Sequence, residues 1–166
     1  MLPVSAQEAR EPDTAGAWSP TFTARHGLWD VTCDARGQGE AREERCYVRY
    51  IDVYSPRPNF GVVFLFLEIE GGAPKISLGR EFETDLEATT LRVLPGWERP
   101  EGVCLSGPCE VLGPDALAMA EALAAGGMLE IGFTDMIDRN QLRQWPSDGF
   151  AQALEDVTRE AVARGL

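Results

Sequence analysis

The sequence predicts a mainly β, antiparallel sandwich-like domain with one short internal helix, a C-terminal helix and two disulfides. Three observations lead there. Short runs rich in β-branched and aromatic residues recur between turn signals from residue 28 to residue 95. Helical periodicity appears only after residue 113, and four cysteines bracket two chain reversals. A length of 166 residues fits one domain that buries a substantial core.

Residues 1–6 read as the remnant of a secretory signal. Val4 and Ala6 stand at the small-residue −3 and −1 positions of a cleavage site before Gln7. Residues 7–24 are assigned to a flexible lead-in, because "QEAREPDTAGAWSP" is polar, proline-containing and aperiodic. Residues 25–166 form the domain. Within it, "LWDVTC" (28–33) alternates Leu28, Asp30 and Thr32 against Trp29, Val31 and Cys33, and "CYVRYIDVY" (46–54) continues with strand-forming residues. "FGVVFLFLEIE" (60–70) starts fully apolar and alternates only at Glu68 and Glu70, which predicts burial on both faces at its start. Strands follow at "KISLG", "REFETD" and "TTLRVLP", separated by turns at Gly71–Pro74 and Pro95–Gly96.

The first helix is expected over 113–127. Pro114 and Asp115 suit its first turn, Leu117, Ala120 and Leu123 (with Met119 nearby) form its apolar stripe, and Gly126 stops it. "MLEIGFTDM" returns to a strand with Leu129, Ile131 and Phe133 inward. The last helix spans about 148–164, capped by Ser147 or Asp148, with Phe150, Leu154, Val157 and Ala161 on its inner face.

Formal charge is −12 with a pI near 4.5, a field that repels phosphate backbones and favours a basic protein surface. Nucleic acid is therefore not an expected partner. No run approaches the roughly 18 apolar residues of a membrane-spanning helix.

Cys33, Cys46, Cys104 and Cys109 make an even count beside an export signal, which implies disulfides. Four cysteines allow three pairings. Cys33–Cys46 with Cys104–Cys109 closes the shortest loops, around Gly37/Gly39 and Gly107-Pro108, and by loop-closure entropy these would contribute about 3 and about 2 kcal/mol. A four-cysteine zinc site would show two tight knuckles, whereas twelve residues separate the first pair. A redox pair would sit as C-x-x-C at a helix N-terminus, and neither pair does.

Taken in order, "LWDVTCD", "RCYVRY", "GVCLSGPCEV", "ALAMAEALAAGGMLEIGF" and "WPSDGFAQALEDV" resemble the invasion-associated locus B family, small exported proteins of alphaproteobacteria. The likeness runs from about residue 27 to residue 157. The resemblance implies an exported β-sandwich-like domain with two disulfides, associated with the periplasm or outer membrane. The middle segment, residues 75–102, lacks the paired Pro-Leu-Gly and Gly-x-x-Leu strands expected of that family. The family carries no catalytic residues to transfer.

Residues that could do chemistry are few. His26, the single histidine, stands at the edge of the lead-in and reads as a solvated residue before the first strand, not as a triad member. Glu68 and Glu70 share a strand face about 7 Å apart, as exposed acids of a sheet would. Asp135, Asp138 and Asn140 offer oxygen ligands but lack the calcium-loop spacing. Trp29 is expected in the core against the first disulfide. If a recognition surface exists, it is sought near Tyr50, Tyr54, Trp97 and Trp145, because the two tryptophans lie beside prolines near loops. The sequence thus points to a non-enzymatic interaction or structural module of the cell envelope, with a protein partner for which the acidic charge favours a basic surface. No catalytic residue, metal site or cofactor is assigned. The alternatives are a periplasmic small-ligand binder with a pocket between sheet and terminal helix, and less favourably a carboxylate-dependent hydrolase.

Overall fold

The computed structural model describes residues 16–54, 61–80, 85–105 and 107–166. The expected signal remnant at 1–6, its cleavage site and most of the "REFETD" strand lie outside these residues.

Among the described residues, ten strands form two antiparallel sheets. The first sheet runs β1 (Ser19–His26), β2 (Trp29–Arg36), β3 (Glu43–Tyr54), β4 (Gly61–Glu70), β5 (Ala73–Arg80) and β8 (Cys109–Val111). The second runs β10 (Asn140–Trp145), β9 (Met128–Thr134), β6 (Ala88–Leu94) and β7 (Trp97–Glu98). Helix α1 (Gly113–Ala124) packs on β5, β6 and β7, and α2 (Phe150–Arg164) packs on β1, β2 and β3. One layer is thus the large sheet. The small sheet and both helices make up the other, as two-layer packing around one core requires.

Alternation sets which side chains enter that core. On β2, Trp29, Val31, Cys33 and Ala35 point inward. Cys46, Val48 and Tyr54 do so on β3, and Val63, Leu65, Leu67 and Ile69 on β4. They meet Leu129, Ile131 and Phe133 of β9, and Phe150, Ala153, Val157 and Ala161 of α2. Trp29 sits at the centre, edge-on to Phe150 at 4.8 Å and tilted against Tyr50 at 5.8 Å.

Both disulfides form with the local pairing. Cys33–Cys46 joins directly opposed residues of β2 and β3, and Cys104–Cys109 closes the reversal into β8.

Several local expectations need correction. Residues 19–24, assigned to the lead-in, form β1, which pairs with β2 from Ser19–Ala35 to His26–Trp29. Its apolar content is too sparse for periodicity to register, and pairing with β2 supplies the order instead. β7, β8 and β10 were not anticipated either, because two- and three-residue strands and the polar "NQLRQW" carry no hydrophobic alternation. On α1 the inward residues are Ala116, Met119, Ala120 and Leu123, while Leu117 is 49% exposed. Helix α2 is capped by Gly149 at φ +86°, not by a Ser147 or Asp148 side chain. A Cβ at Gly149 would stand 2.5 Å from the His26 carbonyl oxygen, so close chain approach and positive φ both demand glycine there.

Candidate functional site

The four aromatic residues expected to mark a surface are mostly interior. Tyr54, Trp97 and Trp145 are all under a tenth exposed, and Tyr50 is half-buried. Trp97 pairs through β7 with Val93, and Trp145 ends β10 edge-on to Tyr50 at 4.8 Å. Nearby prolines, Pro95 and Pro146, signal loops, but both indoles are buried. They do not form an accessible recognition surface.

Trp145 reaches a buried carboxylate. Asp52 lies on the inner face of β3, where alternation puts Cys46, Val48 and Tyr54. It accepts from Arg143 Nε at 2.6 Å, from a terminal nitrogen of the same guanidinium at 3.1 Å, and from Trp145 Nε1 at 2.9 Å. The forked guanidinium and the indole give each carboxylate oxygen at least one donor, so the group ties the two sheets together.

The accessible surface is elsewhere, on the outer face of the large sheet. β4 was expected to be covered on both faces at its start. Instead it buries only alternate residues, leaving Val62, Phe64 and Phe66 half-exposed on the outside. Opposite them on β3 stand Val53 (63% exposed) beside Val62 and Ile51 (45%) beside Phe64. Phe64 and Phe66 meet edge to face at 5.5 Å, and Phe66 meets Tyr47 at 5.7 Å. The Phe64 ring lies across Gly79 of β5, where an added Cβ would come within 2.3 Å of it. An apolar run of this kind carries no sign of which face stays open. Only the placement of the second layer decides it.

Polar groups bound the patch. Toward β1 and β2, Arg25 approaches Asp30, which is in register with Arg49, and Arg45 and Tyr47 donate to Asp34. Burial raises the Tyr47 hydroxyl, and the Asp34 carboxylate raises it further. The Trp18 ring lies under two guanidiniums, with Arg36 at 4.6 Å and Arg45 at 4.1 Å. Toward β5 and β8, Lys75 is raised by Glu110, Glu70 and Glu68, three carboxylates against one ammonium. Glu68 and Glu70 therefore belong to a surface charge network at an acidic margin.

His26 is not a solvated residue before the first strand. It ends β1, with Nε2 2.7 Å from an Asp156 oxygen on α2. That hydrogen bond, followed by Arg159, holds Asp156 below the usual carboxylate range. Asp135 is likewise occupied. It accepts from the Ile137 and Arg139 backbone N–H groups, from Arg139 Nε and from Gln141 Nε2. Burial pushes Asp135 up, but these donors outweigh it and the carboxyl is lowered. Four N–H donors aimed at one carboxylate make an anion's site rather than a cation's. Asn140 Oδ1 accepts from Thr134, completing the turn.

A cleft of about 470 Å³ opens beside Cys104, lined by Arg80, Arg99, Thr89 and Thr134 among others. Its arginines donate to the carbonyls of Thr134 and Ala88, so they brace strand ends. The space between the large sheet and α2, where a ligand pocket was conceivable, is filled by Trp29, Phe150 and Val157.

These features define a disulfide-stapled, two-sheet β domain with one open apolar sheet face. No family profile matches the chain, and no curated protein or solved structure matches it either.

Proposed function

We propose that this chain is an exported, non-enzymatic protein-interaction module of the cell envelope, docking a partner on the outer face of β3 and β4. The carrying observation is the contiguous set Ile51, Val53, Val62, Phe64 and Phe66, exposed or half-exposed on a sheet face. Solvated sheet faces normally alternate to polar residues, and an apolar one marks a contact surface. The acidic margin at Glu68, Glu70 and Glu110 and the overall charge of −12 steer a basic partner toward it.

Two disulfides fit an oxidising compartment, in keeping with the resemblance to invasion-associated locus B proteins. Among the described residues, hydrogen bonds to neighbours hold the carboxyls of Glu130, Asp135, Asp156 and Glu160 below their ordinary range. A hydrolase acid needs the opposite shift.

The test is crosslinking in intact cells followed by identification of the bound protein, with Ile51→Glu and Val53→Glu as variants. Both sites are exposed, so folding is preserved. Loss of the crosslinked species in both variants is the expected result. Undiminished crosslinking, or a cytosolic location on fractionation, would defeat the proposal.

A further inference from the structure

Sheet edges carry unpaired backbone groups, and proteins block them with prolines, bulges, charges or short strands. β1 has Pro20, a register shift between Pro20 and Phe22, and Arg25. β8 is three residues long and β7 two. β10 has no proline or bulge and is not shortened. It runs six residues in unbroken register with β9, lacks proline and lysine, and among the described residues pairs with β9 alone. Its one charge, Arg143, is turned inward onto Asp52, and Arg139 just before it is bound to Asp135. The edge is electrically neutral in a protein of charge −12.

The solvent-facing row of β10 is Asn140, Leu142 and Gln144, all exposed, with Leu142 at 58%. Its chemistry is symmetric about Leu142, with an amide on either side. Those amides are also complementary in what they leave free. Asn140 has its oxygen engaged by the Thr134 hydroxyl, leaving its nitrogen to donate. Gln144 has its nitrogen engaged by Glu130, leaving its oxygen to accept.

We propose that β10 pairs antiparallel with β10 of a second copy of this chain, about a two-fold axis at Leu142, joining the two small sheets into one. In that register each Leu142 faces its counterpart, and Asn140 of one copy donates to Gln144 of the other, twice. Gln141 faces Arg143 of the other copy, each already held within its own chain by Asp135 and Asp52. The contact is isologous and closes on itself, so it yields a dimer rather than a fibre. It does not rest on the docking face of β3 and β4, which lies on the other sheet.

Sedimentation velocity of the full oxidised chain, across a concentration series at low and high salt, tests this. A concentration-dependent dimer that tightens with salt is expected, because the interface is neutral while the remaining charge repels. Leu142→Lys places like charges opposite each other and weakens the dimer about tenfold or more, and Asn140→Lys on the same exposed row weakens it similarly. Val53→Lys leaves it unchanged. A monomer under every condition overturns the inference. So does a dimer that tolerates both β10 variants, or one broken by Val53→Lys.

Discussion

Replacing Asp52 with alanine removes the one acceptor shared by Arg143 and Trp145, and the geometry sets the size of the effect. Trp145 is 2% exposed, so its indole N–H loses a charged acceptor with no water to replace it, worth about 1.5–3 kcal/mol. The Arg143 side chain is 34% exposed and can swing toward solvent, so its forked pair adds only about 0.5–1 kcal/mol. The sum is about 2–4 kcal/mol, or a melting temperature lower by roughly 5–15 °C for a chain of this length. Urea unfolding followed by tryptophan fluorescence measures it. A Trp145→Phe variant, alone and combined with Asp52→Ala, isolates the indole–carboxylate coupling at about 1–2 kcal/mol. An Asp52→Ala protein within about 0.5 kcal/mol of the parent would refute the claim that this carboxylate fastens the two sheets, since that is the ordinary scatter of surface substitutions.

Trp29 and Trp145 are both buried, but among the described residues only the Trp145 N–H meets an acceptor. Trp29→Phe should therefore cost less than Trp145→Phe by about 1 kcal/mol in the same urea assay, and equal costs would contradict the hydrogen-bond argument. Mass mapping without reductant should find Cys33–Cys46 and Cys104–Cys109 peptides. Reduction should lower stability by up to about 5 kcal/mol, most of it from the first and longer loop. Stability should also fall with acid. Glu130, Asp135, Asp156 and Glu160 all have folded-state values below their ordinary ones, so their contribution is complete above the unfolded values near pH 4 and is lost as pH drops through the lower folded values. A melting temperature flat from pH 7 to about pH 5 and declining below it is expected; a rise on acidification would contradict these pairings.

The fold was legible where hydrophobic alternation was strong. β2, β3, β4, β9 and α2 fall where periodicity puts them, because burial of one face is a local pattern with a fixed period. β1 and β10 were missed for a common reason: their residues are polar or mixed, and their order comes from pairing with a neighbour distant from any local signal. The burial of the aromatic residues was misjudged in the same way. Tryptophan near proline reads as an exposed loop, yet Trp97 and Trp145 are buried. Conversely, "VVFLFL" reads as doubly buried, yet one of its faces is open.

By itself the amino-acid sequence determined the β character, the two helices, the cysteine count and the acidic charge, since each is a property of local pattern or composition. Tertiary structure alone decided which cysteines meet, which face of β4 remains uncovered, that Asp52 is enclosed by β10, and that among the described residues β10 ends its sheet. Those depend on which strands become neighbours and where the second layer settles, and contacts between residues ninety positions apart leave no trace in a short window of sequence.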